Sequence, residues 1–360
     1  MSVDRAALWQ ALKQHELVQG ECPAQEQLES PWYVRLMIGI AGLIASSFLL
    51  GFIGSLFVLV FENRYVAMVL GLAMMALAYK VFKGKPGNDF VAVMALVCSL
   101  AGQALFAFGV FDIRLFSIGS SFSWFIVGLL QAALAWYMPN SLHRVWSAFA
   151  AAMALSIALT HQQIYFIQAP LLGAAVAWIW LNELNWSSRL PVIKPIGYGL
   201  TVALLYQESK GLFFNFMWHM ASRPLRLDEL WLKPWMGEVL IGMTLLVVVW
   251  QLLVRHRVAF PGRVANTTLA ATLLLVMASL EMTGLGLGLV IILLGFANGN
   301  RLLTSIGLVS LLFYLSSYYY LLDNTLLDKS RILLLTGLVL LAAYWIVQRG
   351  LFSGTRSEHA

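Results

Sequence analysis

Apolar residues run along this chain in long blocks, and charged residues fall between the blocks instead of within them. Twelve blocks stand out, at 33–61, 65–82, 90–111, 116–137, 143–160, 164–182, 191–206, 236–254, 264–281, 283–298, 301–322 and 331–349. A helix rises about 1.5 Å per residue, so about 20 apolar residues reach across a hydrocarbon layer about 30 Å thick. The pattern predicts an all-α polytopic transmembrane bundle of about twelve spans. Ten or eleven full spans remain open, because 191–206 and 283–298 are short enough to be half-helices or re-entrant segments.

What lies outside the blocks divides the chain further. Residues 1–32 form a polar leader, read as cytoplasmic, in which VDRAALWQALKQHELV sets Leu8 and Leu12 on one side and predicts a short amphipathic helix. Its acids precede the first apolar run, the wrong order for a cleaved signal peptide. The transmembrane domain then covers 33–349, and 350–360 reads as a disordered cytoplasmic tail. The longest connection, 207–235, interleaves Phe213, Phe214, Phe216, Trp218, Trp231 and Trp235 with charges, and reads as an interfacial outer loop.

Composition removes the soluble alternative. The chain is 60% hydrophobic and 11% charged, against roughly 25% charged in ordinary soluble proteins. Lysine and arginine then orient the spans, since short loops rich in them stay in the cytoplasm. With a cytoplasmic N-terminus the outer segments hold Arg64, Arg114, Lys210, Arg223, Arg226, Lys233, Lys329 and Arg331, and the other fifteen of the 23 face inward. Both termini come out cytoplasmic. The net charge of +6 is thus spread loop by loop as a topology signal and forms no nucleic-acid footprint.

Local catalytic signatures are missing. The chain has no GxxxxGK[ST] phosphate loop and no GxSxG elbow, and HELVQ at 15–19 puts Gln19 where a zinc protease needs its second histidine. The six histidines make no close ligand pairs, and Cys22 and Cys98 cannot build a zinc site alone. These features predict no enzyme, no metal and no cofactor.

Polar groups inside the blocks are sparse and therefore informative, since each is costly in lipid. Gln103 and Gln131 lie within the third and fourth blocks, and THQQIYFIQAP at 160–170 adds His161 and Gln163. Pro170 is expected to loosen the sixth helix by removing a donor. Glu281, at a tight connection, and Glu208, at the end of the seventh block, are candidate coupling acids. Together Glu281, Glu208, His161, Gln163, Gln103 and Gln131 form a candidate polar path; interhelical hydrogen bonding alone explains the amides equally well. Gly284, Gly286 and Gly288 read as small residues that let helices approach. FANGNR at 296–301 reads as a turn with a helix cap.

A second candidate cluster lies on the outer face, in SSYYYLLDNTLLDKSRILLL. Tyr318, Tyr319 and Tyr320 suit an aromatic girdle, Asp323 suits a turn, and Asp328 stands beside Lys329 and Arg331. Those two cations defy the local charge rule, and the neighbouring carboxylates are near enough to pair with them.

The segments ESPWYVRLMIGIAGLIASSFLLGFIG (29–54) and GNRLLTSIGLVSLLFYLSSYYYLLDNTLLDKSRILLLTGLVLLAAYW (299–345) resemble a bacterial family of polytopic membrane proteins, domain of unknown function 4401. Pro31, Trp32 and Arg35, then Tyr318, Tyr319, Tyr320, Leu322, Leu326, Leu327, Lys329 and Ser330, carry the likeness. The resemblance implies a bacterial inner-membrane location and brings no activity. Two functions from different classes fit: a transporter-like protein for a small solute or ion, or a non-transporting scaffold or sensor in an envelope complex. The first implies a substrate that the sequence does not specify; the second implies a membrane protein partner. Both imply a lipid bilayer.

Overall fold

In a hydrocarbon layer every backbone N–H and C=O must find its partner within the chain, and a helix satisfies them locally. The computed structural model describes residues 63–84, 89–112, 120–164, 166–220, 234–260, 262–281, 284–321 and 326–352, with isolated positions before 52; side chains within 210–220, 281 and 318–321 and many in 326–352 fall outside the description. Among the described residues there is no strand. The helices are α1 Arg64–Lys83, α2 Asp89–Phe111, α3 Ser121–Tyr137, α4 Ser141–His161, α5 Gln168–Leu181, α6 Leu190–Met220, α7 Pro234–Arg255, α8 Arg263–Glu281, α9 Leu285–Ala297, α10 Arg301–Leu321 and α11 Leu326–Phe352. A 3-10 segment, Glu183–Arg189, joins α5 to α6.

Five of these helices are long and apolar enough to cross a membrane. Outward faces across the bundle, on these and the shorter apolar helices alike, carry Val69, Leu129, Met277 and Val309, all more than half exposed. Monomeric soluble proteins rarely display apolar surface on that scale, and such a surface suits lipid.

Each block from 65 onward has a helix at its place. The first block, at 33–61, and the leader and tail lie almost wholly outside the described residues. One expectation is overturned: the block at 191–206 is no short segment but part of α6, 31 residues long. Helix α6 runs through Glu208 to Met220, so the first half of the 207–235 connection continues a helix instead of leaving one. The polar run QESK reads as a helix end, yet the buried Glu208 and the half-buried Gln207 and Ser209 ride a helix because neighbours cover them. The 283–298 block is short, as expected: α9 has 13 residues, about 20 Å of helix at 1.5 Å per residue.

Two apolar cores share one wall. Met75, Phe82, Phe106, Val110, Val127 and Met138 fill the space among α1, α2, α3 and α4. Val176, Trp180, Leu204, Leu245, Ile291 and Tyr314 fill the larger core from α5, α6, α7, α9 and α10. Helix α4 gives Ala154 to the first and Ala152 to the second. Small residues set the crossings: a Cβ on Gly71 of α1 would stand 2.5 Å from the Gly102 carbonyl oxygen of α2. On Gly295 of α9 it would stand 2.5 Å from the Thr304 amide of α10. Asparagine caps open three helices, with Asn63 accepting from Tyr65 N–H, Asn140 from His143 N–H and Asn300 from Leu303 N–H. The last confirms the cap expected in FANGNR.

Pro170 behaves differently from expectation. It is the third residue of α5, in the first turn, where backbone N–H groups have no intrahelical acceptor. Its missing donor therefore breaks nothing. The proline that costs a bond is Pro195 inside α6. Its ring leaves the Pro191 carbonyl without a helical donor, and Arg144 of α4 fills the gap, its Nη1 donating to Pro191 O at 2.8 Å.

Candidate functional site

Helix α2 places Ser99 and Gln103 four residues apart, on one face, and α4 does the same with His143 and Ser147. The Asn140 cap fixes the start of α4 by accepting from the His143 N–H at 3.0 Å, and the imidazole reaches Ser99 and Gln103 of α2. His143, Ser99 and Ser147 are fully buried, and Gln103 and Gln131 nearly so. The edge of the His143 ring meets the Phe82 ring, with centroids 6.2 Å apart.

The hydrogen bonds of this first cluster have a direction. The Gln131 amide N–H donates to Gln103 Oε1 at 3.0 Å, which turns the Gln103 amide nitrogen toward His143 Nε2 at 3.1 Å. An amide nitrogen only donates, so Nε2 is the acceptor and the ring proton sits on Nδ1. That N–H faces Ser147 Oγ at 3.1 Å, while Ser99 Oγ lies 2.8 Å from Nε2. The imidazole is neutral in this arrangement. At the far end of the chain Gln131 Oε1 is buried and has no hydrogen-bond partner among the described residues.

A second cluster lies at the other end of α4. Glu208 stands 18 positions beyond Leu190 on α6, about 27 Å along the helix axis, level with the end of α4 and the start of α5. Gln207 donates to Gln168 Oε1. Gln168 in turn donates to Thr160 Oγ1 at 2.9 Å and to Ile164 O at 2.7 Å. Thr160 returns its hydroxyl to Ser156 O. Glu208 is 6% exposed, and its Oε1 has no hydrogen-bond partner among the described residues. One turn back on its face, the Leu205 carbonyl accepts from Tyr314 Oη at 3.2 Å and from Ser209 Oγ at 2.7 Å. The Tyr314 ring presses on Gly284, whose left-handed backbone (φ 89°) turns the chain from α8 into α9. A carboxyl group held this way can take up and release a proton or a small cation, because one of its oxygens is left without a partner among the described residues.

The candidate path residues therefore separate. Gln103 and Gln131 meet, and Glu208 is buried, but in the other cluster. His161 and Gln163 join neither: both are exposed at the turn after α4, with Gln163 at φ 64°. They occupy that turn because the chain reverses there, with the Gln163 N–H donating to Thr160 O. Glu281 closes α8, and its side chain lies outside the described residues. In the outer-face cluster, Arg331 and Asp328 stand 3.6 Å apart, both well exposed; such pairs contribute about 0–1 kcal/mol. Asp323 and the side chains of Tyr318, Tyr319, Tyr320 and Lys329 lie outside the described residues. Sequence reasoning missed His143, Ser99, Ser147, Gln207 and Tyr314. Polar pairs at i,i+4 within an apolar helix were the available signal, since that spacing places both groups on one buried stripe.

Fold and clusters together make an all-helical bundle, with several helices apolar enough to cross a membrane and two clusters of buried polar groups. Residues 31–350 match the family described as Domain of unknown function (DUF4401), and the chain belongs to that family. No curated protein and no solved structure matches it.

Proposed function

We propose that this protein is a proton-linked transporter of a small solute or ion, with Glu208 as its coupling acid. The observation that carries the reading is Glu208 itself: an acid on a membrane helix, 6% exposed, with one carboxyl oxygen unpartnered among the described residues. An ionisable group placed so is costly, and by default it marks a path for ions or protons. The amides of Gln207 and Gln168 and the hydroxyl of Thr160 extend polar character from α6 to α5 and α4, giving a proton or cation somewhere to arrive from. The setting we propose is the bacterial inner membrane, with about twelve spans and both termini in the cytoplasm, on the strength of the lysine and arginine distribution.

The test is charge displacement after a pH jump, recorded on a solid-supported membrane carrying proteoliposomes. The wild type is expected to give a transient current, because protonation of Glu208 moves charge even with no second substrate present. Glu208→Gln keeps the shape and removes the titration, so its current falls to that of protein-free liposomes. Equal currents from wild type and variant would remove the coupling role.

A further inference from the structure

The first cluster contains a group that the transport reading leaves unused, and its chemistry points to a ligand. A neutral His143 accepts at Nε2 from the Gln103 amide at 3.1 Å. Were Nε2 to gain a proton, it would face that amide donor to donor, which is repulsive. Rotating the Gln103 amide by half a turn removes the conflict, since its Oε1 then accepts from Nε2–H. The rotation carries the Gln103 N–H group to where it meets the Gln131 N–H group, so Gln131 must turn as well. Its Oε1 then accepts from Gln103. That oxygen is the acceptor of this three-residue hydrogen-bond series that has no partner among the described residues in the neutral arrangement.

We propose that His143, Gln103 and Gln131 form a second proton-binding site, separate from Glu208, in which one bound proton reverses the hydrogen-bond chain and ends it on Gln131 Oε1. The proton comes from water and forms the Nε2–H bond; no other bond is made or broken, and the site gains one positive charge. Ser147 keeps its bond from Nδ1–H throughout. The proposal does not rest on the transport reading.

The charged surroundings fix what the amides must do. Helix α1 offers the Phe82 ring, with Lys80 and Lys83 exposed near its end. Helix α2 offers Ser99 and Gln103, and its Cys98 thiol is turned to Met74 O. Helix α3 reaches the cluster through Gln131, which meets Gln103 and not the ring. On α4 itself Arg144 points away, to Pro191 O, and on the neighbouring α6 Lys194 pairs with Glu183 at 3.0 Å. None of the described residues on these elements puts a carboxylate against the ring. Lys80, Lys83 and Arg144 carry the sign that opposes a charged imidazole, so the turned Gln103 amide oxygen, beside the Ser99 hydroxyl at 2.8 Å from Nε2, supplies its stabilisation.

The experiment uses the full chain in lipid nanodiscs, labelled with nitrogen-15 in histidine and glutamine side chains, and His143→Asn to assign signals. At alkaline pH the His143 ring is expected as the Nδ1–H tautomer. As pH falls, the ring becomes doubly protonated and the Gln103 and Gln131 side-chain amides shift with the same midpoint; in His143→Asn they stay still. Gln103→Glu, which presents only acceptors to Nε2, should tighten proton binding by about tenfold or more. A ring in the Nε2–H tautomer at alkaline pH, a ring that stays neutral throughout, or one that titrates while both amides stand still would each overturn the proposal. Because these readouts involve no flux, they succeed or fail independently of Glu208.

Discussion

Gly284 carries two demands that no other residue type meets together. Its φ of 89° lies in the left-handed region, and a Cβ there would stand 2.6 Å from the Tyr314 ring. Gly299 shares only the first demand, with φ 62° and open space around it. Left-handed backbone costs a non-glycine residue roughly 1–2 kcal/mol, so Gly299→Ala should lose about that much. Gly284→Ala should lose more, because the ring must move and with it the hydroxyl bonded to Leu205 O. Melting temperatures of the two variants in one detergent give the order, and an equal loss would show that Tyr314 yields freely. The sequence reading of Gly284, Gly286 and Gly288 as contact residues holds at all three, since added Cβ atoms on Gly286 and Gly288 would meet Ser279, Ile241 and Leu311 at 3.2 Å. Which helix each would face was not legible, because glycine has no side chain from which to read a direction. His143 escaped for a related reason: its partners on α2 lie 40 and 44 positions away, and only Ser147, one turn on, left a local trace.

At the scale of elements, shortness has a structural cause. Helix α9 buries Leu285, Gly286, Leu287, Gly288, Val290, Ile291, Leu294 and Gly295, so it is apolar and covered on nearly every side. Such a helix is a core element of the bundle. Its length was legible in the apolar pattern, but a break for a substrate and a central packing helix look alike until neighbours are known. Helix α6 shows the opposite case, where a proline within the sequence does not end the element. Arg144 donates to the carbonyl that Pro195 orphans, and a charged hydrogen bond of this kind contributes about 1.5–3 kcal/mol. Arg144→Met should therefore destabilise the packing of α4 on α6. Pro195→Ala restores a helical donor to Pro191 O, so it should reduce the cost of Arg144→Met when the two are combined. A double-mutant cycle by chemical or thermal unfolding measures the coupling, expected at about 1 kcal/mol. Strict additivity would mean that the guanidinium stabilises α6 by packing instead.

At the scale of the whole molecule, α4 spans between two polar clusters and forms the wall between two apolar cores. His143 and Thr160 are 17 residues apart on it, about 26 Å of helix, so a tilt or slide of α4 would act on both clusters at once. Bundle class was legible because lipid permits few alternatives; the division into two cores was not, since it depends on which small residues face which helix. Orientation follows from charge and gives a direct test. The connection between α3 and α4, at Asn140, lies at the end where Arg144, Arg189 and Lys194 gather, and the turn at Gln163 lies at the opposite end. Lysine and arginine hold their segments in the cytoplasm. A background with Cys22→Ser and Cys98→Ser, carrying either Asn140→Ser as a control or a single cysteine at one of these two positions, reports which side each faces. A membrane-impermeant maleimide added to intact spheroplasts is expected to label Gln163→Cys and to label Asn140→Cys only after lysis. The reverse result would invert the bundle and place Glu208 toward the cytoplasm and His143 toward the outside, while leaving both proton sites and their separate tests unchanged.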